Sequence, residues 1–308
     1  MLRNVYLCVT VCVATLATAA EPVKKVIFFG IDGCRWDAVE AAETPNLDRL
    51  VKDGYFAVGT EILAPRETPG DTVSGPGWSN LLCGVWPDKH GVVDNSFKGS
   101  NYKEYPHFFA RVKEVQPNAV TASFSNWGPI KDRILSAADE VYTEDAHGAV
   151  AYIAADTRAT DACIDVLRTK QPDVVMLYQG QVDETGHAKG FHPTVPEYRQ
   201  AIERVDANIG SVLQTIRDRS TFAQEDWLVI VATDHGGLGT NHGGGRKIDE
   251  IRRTFLIVSG PSARKGRTEA PTYQVDVVAT ALSHLGIAPK PEWKLDGKPV
   301  GLKQLAAP

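Results

Sequence analysis

The chain has 308 residues with a formal net charge of −5, and 43% of its residues are hydrophobic and 23% charged. This ordinary globular composition provides apolar material for one large core. No long Lys/Arg run is present, which argues against nucleic acid or anionic membrane as the main partner, whereas a small anionic substrate is compatible with the charge.

The first 20 residues predict a cleaved secretory signal peptide. Arg3 gives a short positive region, an apolar run follows, and small residues precede the expected cleavage after Ala19 or Ala20. A membrane anchor is less favoured, because the run is shorter than the ~20 residues that span a bilayer. We therefore expect a secreted or periplasmic protein without a transmembrane anchor after cleavage, with one domain over residues 21–308.

Strand and helix patterns alternate along the chain. Apolar, β-branched runs predict strands at 24–33, 119–127, 172–183, 226–237 and 252–261. Helical spacing predicts helices at 44–54, 154–170, 194–219 and 273–287, the first with Thr44 as N-cap and Pro45 at N1. This alternation predicts an α/β fold with a largely parallel central sheet and helices on both faces.

Three cysteines remain after the predicted cleavage: Cys34, Cys83 and Cys163. An odd number excludes a fully paired disulfide scaffold, but one disulfide with one free thiol and three free thiols both stay open.

Acidic residues end three of the predicted strands: Asp32, Asp183 and Asp234. Ligands of such sheets bind beyond the carboxyl ends of the strands, so these carboxylates are expected near one another. A capping Asp at a turn or a solvated acidic loop is the ordinary alternative for each of them taken alone.

Three histidines accompany these carboxylates. His187 follows Asp183 in a D-x-x-x-H pattern, where Gly186 is expected to let the chain bend, His235 is adjacent to Asp234, and His242 lies in a Gly-rich turn. An ordinary surface histidine is the alternative for His242.

Together, three carboxylates and three imidazoles are enough ligands for two ions. Two metals ~3.5–4 Å apart stabilise the attacking and leaving oxygens of an in-line displacement at phosphorus. Carboxylate and imidazole without thiolate suit Zn²⁺ best, with Mn²⁺ or Fe as alternatives.

The stretch "SGPGWSNLLCG" places Ser74 at the start of a predicted helix. A metal-activated Ser hydroxyl is a nucleophile, and free N–H groups at a helix start favour an anion. Gly75 and Gly77 are expected to let a substrate approach the backbone. A helix N-cap without chemistry is the alternative for Ser74.

As an ordered set, these motifs resemble the alkaline phosphatase superfamily, and within it the type I phosphodiesterase/nucleotide pyrophosphatase branch. The resemblance runs from "VIFFGIDGCRWD" to "VDVVATALSHLGIAPKPEWKLDGKPV". It implies an alkaline-phosphatase-like fold and two metal sites, one held by Asp32, Ser74, Asp234 and His235, the other by Asp183, His187 and His242. His284 is the fallback for His242.

The resemblance also implies roles in substrate binding. Asn95 matches an Asn that donates to a nonbridging phosphoryl oxygen, and a turn residue is its alternative. Tyr178 matches a base-stacking position, with a core Tyr as its alternative. Nucleotide pyrophosphatases read T-F-P-N where this chain has Ser74-Gly75-Pro76-Gly77, so Trp78 is the substitute for the missing aromatic, or else a core anchor.

The resemblance implies a two-metal phosphoric ester hydrolase that forms a covalent phosphoryl-Ser74 intermediate, with diesters favoured. A phosphomonoesterase or phosphonate hydrolase is the alternative, with Arg35 and Lys89 as candidates to hold the extra charge of a monoester. A sulfatase is disfavoured because Trp78 stands where its motif requires Arg. The non-enzymatic alternative is a metal-retaining binding module. Residues 97–117 are the expected wall of the substrate cleft.

Overall fold

The computed structural model describes residues 21–303, and the predicted signal peptide lies outside this range. In the described part, one sheet contains eight strands in the order β4-β3-β5-β1-β6-β7-β2-β8. The strands are Val23–Ile31 (β1), Tyr55–Glu61 (β2), Thr121–Ser125 (β3), Glu140–Thr143 (β4), Val174–Gln179 (β5), Glu225–Ala232 (β6), Arg253–Ser259 (β7) and Gly266–Thr268 (β8).

Helices connect most of these strands. They are Trp36–Glu40 (α1), Pro45–Asp53 (α2), Ser74–Cys83 (α3), Pro87–His90 (α4), Phe108–Val115 (α5), Ala149–Thr169 (α6), Gln181–Lys189 (α7), Pro196–Arg217 (α8), Asp249–Arg252 (α9) and Asp276–His284 (α10). A π-helical turn covers Ile130–Ile134.

The sheet has a separate hydrophobic core on each face. Side chains of β1 alternate between the two, because successive residues of a strand point to opposite faces. Val26 and Phe28 pack with side chains of α3, α5 and α10, whereas Ile27 and Phe29 pack with those of α2, α6 and α8. The predicted α/β fold, with helices on both faces, is confirmed.

The sheet is largely parallel, as predicted, with one exception. β7 runs antiparallel to both of its neighbours, β6 and β2. The predicted strand at 252–261 is therefore correct in position and differs only in direction. The sequence did not predict β2, β4 and β8, which lie at or near the edges of the sheet.

One predicted strand is too long. The run at 172–183 was expected to end at Asp183, but β5 ends at Gln179 and Asp183 lies in the first turn of α7. The cause is a tertiary contact: the buried carboxylate of Asp156 accepts hydrogen bonds from the backbone N–H groups of Gly180 and Gln181, which stabilises a helix start there.

Cys34, Cys83 and Cys163 are free thiols, and all three are buried. Burial raises the pKa of each thiol above its ordinary value, so they act as small apolar side chains. Within residues 21–303, no helix is both long enough and apolar enough to span a bilayer.

Candidate metal centre and nucleophile

The order β5-β1-β6 brings three strand ends together. Gly30 of β1 pairs with Tyr178 of β5 on one side and with Ala232 of β6 on the other. Asp32 lies two residues beyond Gly30, and Asp234 lies two residues beyond Ala232. Parallel pairing thus sets the two carboxylates side by side at the carboxyl edge of the sheet.

The first ligand set consists of Asp32, Asp234 and His235, and all three side chains are buried. One donor atom from each lies within 4.8 Å of the others. Nε2 of His235 is 3.1 Å from Oδ2 of Asp234 and 3.6 Å from Oδ1 of Asp32. These three atoms could ligate one ion.

The second set consists of Asp183, His187 and His242, whose donor atoms meet the same 4.8 Å limit. Nε2 of His187 lies 3.4 Å from Oδ2 of Asp183, and Nε2 of His242 lies 3.7 Å from Oδ1 of the same residue. Asp183 and His187 share one face of α7 because they are four residues apart in a helix. The side chain of His187 is 39% exposed, so this set opens to solvent.

Gly186 does not provide the bend that the sequence suggested. It lies inside α7, and a Cβ there would come within 2.3 Å of the ring of Phe191. Glycine is needed at this position for close packing, while the helix itself aligns Asp183 with His187.

The two sets are adjacent. The rings of His235 and His242 stack with centroids 3.7 Å apart and an interplanar angle of 17°. Nε2 of His187 lies 3.0 Å from Nε2 of His242. The structure therefore brings all six predicted carboxylates and imidazoles into one continuous site.

Each imidazole is held by a backbone carbonyl at Nδ1. His235 contacts the carbonyl oxygen of Gly236 at 2.9 Å, His242 that of Thr72 at 2.8 Å, and His187 that of Thr240 at 2.9 Å. A proton on Nδ1 donates to the carbonyl and leaves the Nε2 lone pair for a metal. This shared arrangement fits metal ligation.

Each of the three carboxylates also has one buried oxygen without a hydrogen-bond partner: Oδ1 of Asp32, Oδ1 of Asp183 and Oδ2 of Asp234. Burial, together with the charge of Asp183, raises the pKa of Asp32 to about 6. Burial and the neighbouring carboxylates likewise raise the pKa of Asp234. A divalent cation at each set would provide the missing counter-charge.

For Asp183 and His187 on α7, the pKa of the carboxyl group is shifted in the opposite direction. Burial acts to raise the pKa of Asp183, but the hydrogen bond with His187 and the nearby imidazoles outweigh it and lower that pKa. The same hydrogen bond raises the pKa of His187 to about 9. In the absence of a cation, a proton on His187 therefore serves as the partner of the Asp183 carboxylate.

Trp78 and Tyr178 hold Asp32 in place. Nε1 of Trp78 donates to Oδ2 of Asp32 at 2.9 Å, and the Tyr178 hydroxyl donates to the same oxygen at 2.7 Å. Trp78 is 0% and Tyr178 2% exposed. This placement does not support the expected substrate stacking by these rings, because neither presents a free face to the cleft.

Ser74 is the first residue of α3, and its Oγ lies 3.3 Å from Nε2 of His235. The hydroxyl therefore borders the first ligand set. Oδ1 of Asn95 accepts a hydrogen bond from the backbone N–H of Gly75 at 2.7 Å. The Asn95 side chain is thus fixed beside Ser74, and its Nδ2 is left to donate.

Gly75 and Gly77 bring protein groups close together, whereas the sequence suggested that they admit substrate. A Cβ at Gly75 would lie 2.7 Å from the carbonyl oxygen of Asp94, and one at Gly77 would lie 2.8 Å from Cβ of Asp234. The two glycines allow α3 to pack directly on the segment before Asn95 and on the first ligand set.

Three other residues considered for the site, Arg35, Lys89 and His284, make contacts with other parts of the protein. Arg35 donates to the carbonyl oxygens of Phe191 and Gly237 and to Asp37, and Lys89 contacts Asp296 at 2.7 Å. His284 is buried in α10, where Nε2 donates to the carbonyl oxygen of Asp226. His242, and not this fallback, lies at the site.

The segment 97–117 is also more structural than expected. Four of its five large aromatic residues lie in the hydrophobic core on one face of the sheet: Phe97, Tyr105, Phe108 and Phe109. Tyr102 is partly buried and packs against the same core. Asp156 and the carbonyl groups of Thr72 and Thr240 were missed, because a remote carboxylate or a backbone acceptor leaves no local pattern in a sequence.

The sequence model of the family described as type I phosphodiesterase / nucleotide pyrophosphatase matches residues 26–256. Human ectonucleotide pyrophosphatase/phosphodiesterase family member 7 is 26% identical over 260 residues, which cover 76% of this chain and 54% of the relative. Venom phosphodiesterase 2 of Crotalus adamanteus is 23% identical over 242 residues, covering 72% and 28%. The chain thus matches about half of the human relative and less of the venom enzyme.

Solved structures share the fold. A 2-O GAG sulfatase superposes with a TM-score of 0.70 at 15% identity, covering 91% of this chain and 73% of that one. An inactive variant of murine ectonucleotide pyrophosphatase/phosphodiesterase 5 in complex with AMP gives a TM-score of 0.62 at 15% identity, covering 86% and 96%. With the family match spanning three quarters of the sequence, the chain belongs to the type I phosphodiesterase / nucleotide pyrophosphatase family.

Proposed function

We propose that this protein hydrolyses phosphoric diesters, with Ser74 as the nucleophile and two divalent cations, preferably Zn²⁺, as cofactors. The observation that carries the proposal is the position of Ser74 Oγ, 3.3 Å from Nε2 of His235, next to two adjoining ligand sets. The names of the family's relatives, which include phosphodiesterases, support the same reaction class.

The first cation would be held by Asp32, Asp234, His235 and Ser74, and the second by Asp183, His187 and His242. Bound cations of this kind lower the pKa of a coordinated hydroxyl and neutralise charge that develops on phosphoryl oxygens. Carboxylate and imidazole donors without thiolate favour Zn²⁺, with Mn²⁺ or Fe as alternatives.

Ser74 carries the covalent step. The Ser74 hydroxyl loses its proton to solvent and Oγ attacks phosphorus opposite the leaving oxygen, so that a P–Oγ bond forms while the ester P–O bond breaks and the leaving alkoxide takes up a proton from solvent. A water molecule then attacks the phosphoryl-Ser74 intermediate, which releases the phosphoryl product and restores the hydroxyl. The start of α3 fixes the nucleophile for both displacements, because Ser74 is part of a buried helix.

Asn95 stabilises the transferring group. Its Oδ1 is occupied by the backbone N–H of Gly75, so the amide presents Nδ2 beside Ser74. A preorganised N–H donor of this type stabilises negative charge on a nonbridging oxygen as it develops.

A diester fits better than a monoester. A monoester carries an additional negative charge, and the two cations considered for it are engaged elsewhere: Arg35 binds carbonyl oxygens and Asp37, and Lys89 binds Asp296. Because both side chains are engaged by groups of the protein itself, neither is available to bind the additional charge of a monoester.

The test compares wild type with Ser74→Ala on an aryl phosphodiester, an aryl phosphomonoester and an aryl phosphonate, with metal content measured on each preparation. We expect the diester to be the best substrate, and Ser74→Ala to lose at least ~10³-fold in kcat. Ser96→Ala, an exposed neighbour of Asn95, is the matched control. Full activity in Ser74→Ala would overturn the proposal, and two bound metals without turnover of any ester would indicate a binding module.

We also propose that the mature protein is exported. The N-terminal pattern supports this, and so do relatives that are named as an ectoenzyme and a venom enzyme. N-terminal sequencing of protein recovered outside the cytoplasm tests it, and the expected first residue is Ala20 or Glu21.

A further inference from the structure

Asp156 is a buried carboxylate that the proposed reaction does not use. It lies in α6 and is 0% exposed. Its Oδ1 accepts from the backbone N–H of Gly180 at 2.9 Å, and its Oδ2 from that of Gln181 at 3.0 Å. The side-chain amide of Asn126 also donates to Oδ1. All of these partners are neutral N–H groups.

These contacts lie at the start of α7, the helix that carries Asp183 and His187. The N-cap residue Gly180 has no side chain to cap the helix, so the free N–H groups of the first turn need an acceptor from elsewhere. The Asp156 carboxylate supplies that acceptor, and its negative charge is favourable at the positive end of the helix dipole.

A second contact from α6 fixes the same junction. Tyr152, one turn before Asp156, packs its ring against Gly180 so closely that a Cβ there would lie 2.3 Å from it. These two contacts fix both the direction in which α7 leaves β5 and the rotation of α7 about its own axis. Because Asp183 follows Gly180 by only three residues, a rotation of the first turn would move its carboxylate away from His242.

We propose that Asp156 is a positioning residue for the second metal site: by capping α7 from α6, it sets the rotation of the helix that presents Asp183 and His187 to the ion. The inference rests on the proposed two-metal function. It concerns how the ligands are oriented, not the chemical step, so equilibrium metal binding tests it without any turnover.

The chain contains a matched control for this cap. Asp206 of α8 is 1% exposed and accepts from the backbone N–H groups of Leu47 at 2.7 Å and Asn46 at 3.2 Å, at the start of α2. Both carboxylates are therefore buried caps of a neighbouring helix. However, α2 carries no residue of the candidate site.

The experiment measures Zn²⁺ affinity and stoichiometry with a competing chelating indicator in wild type, Asp156→Asn, Asp206→Asn and Asp183→Asn, with thermal unfolding of each. Asn keeps the shape but removes the charge and one acceptor. Asp183→Asn should abolish Zn²⁺ binding at the second site. We expect Asp156→Asn to weaken the Zn²⁺ affinity of that same site by ~10–100-fold and to leave the affinity of the first site unchanged. Asp206→Asn should lose thermal stability while keeping both affinities.

Two results would overturn the inference. One is an unchanged Zn²⁺ affinity at both sites in Asp156→Asn. The other is a loss of Zn²⁺ affinity at both sites that is as large in Asp206→Asn as in Asp156→Asn, which would show a general effect on folding. Failure of the two-metal function on which the inference rests has a different signature, since the wild type itself would then bind fewer than two Zn²⁺ ions. Two bound ions without turnover of any ester would overturn the proposed hydrolysis and leave this positioning role intact.

Discussion

Gly75 and Asn95 are joined by a hydrogen bond of 2.7 Å that links the residue after Ser74, the proposed nucleophile, to the proposed donor to a phosphoryl oxygen. The bond uses Oδ1 of Asn95, so the amide orientation is fixed with Nδ2 free. It also explains why position 75 is a glycine: any Cβ there would lie 3.0 Å from that same Oδ1 and 2.7 Å from the carbonyl oxygen of Asp94.

This geometry predicts the effect of two substitutions at Asn95. Asn95→Asp keeps the acceptor for Gly75 but replaces the Nδ2 donor with negative charge, and Asn95→Ala removes both. Each should lower kcat on an aryl phosphodiester by ~10²–10³-fold. Steady-state kinetics with Ser96→Ala as the control checks this, and wild-type kcat in Asn95→Asp would exclude a donor role.

Tyr178→Phe separates metal positioning from base stacking. The change keeps the ring and removes the hydroxyl that donates to Asp32. We expect Zn²⁺ affinity at the first site to fall by ~10–100-fold, with activity recovering at high Zn²⁺. Tyr142→Phe, which removes a hydroxyl bonded to Glu144 at the sheet edge, is the control. Unaltered Zn²⁺ affinity in Tyr178→Phe would argue for a ring contact alone.

Gly77→Ala tests the packing of α3 on the first ligand set. The added Cβ would lie 2.8 Å from both Cβ and the carbonyl oxygen of Asp234, and that oxygen also accepts a hydrogen bond from Gln274. We expect the free energy of unfolding to fall by about 1–3 kcal/mol, measured by urea denaturation. Gly243→Ala is the control, because its nearest neighbour would be at 3.6 Å. Equal stabilities would contradict the packing argument.

Metal removal should destabilise the fold, since it leaves three buried carboxylate oxygens without partners. Dialysis against a chelator is expected to lower Tm, and added Zn²⁺ should restore it. At a hundredfold excess over Kd, one bound ion adds about 2.7 kcal/mol to the free energy of unfolding. Calorimetry with a Zn²⁺ titration measures this. The rise in Tm should be smaller in Asp32→Asn, and a Tm indifferent to Zn²⁺ in wild type would contradict the metal sites.

We expect the buried imidazole of His107 to lower the free energy of unfolding as the pH falls. Burial lowers its pKa to about 4, whereas an unfolded His titrates near ~6.5. Below pH 6.5 the unfolded chain takes up a proton that the fold does not, so the free energy of unfolding falls by about 2 kcal/mol between pH 7 and pH 5 from this residue.

The variant His107→Asn isolates that contribution. Asn keeps an acceptor for the backbone N–H of Ala110, which His107 Nδ1 caps at 3.4 Å. Urea unfolding at pH 7 and pH 5 should show a smaller loss of stability in the variant than in wild type. His192→Asn, at an exposed position, is the control. An identical pH dependence in His107→Asn and wild type would exclude this titration.

Local sequence determined the strands that build the site and the side chains at their ends. The apolar runs of β1 and β6 identify buried parallel strands, and Asp32 and Asp234 lie one and two residues beyond their ends. Because parallel strands present their carboxyl ends at one edge, a shared location for these carboxylates follows from the pattern alone. The position of Ser74 at the start of a predicted helix singled out its hydroxyl, and the family resemblance then suggested Asn95.

Tertiary structure decided the contacts between residues that are distant in the chain. Asp183 lies in a helix and not at a strand end because Asp156, 27 residues earlier, caps it. Trp78 contacts Asp32 because α3 packs over the end of β1, and Tyr178 contacts it because β5 pairs with β1. Such contacts depend on strand order and helix packing, which bring together groups that no local periodicity relates.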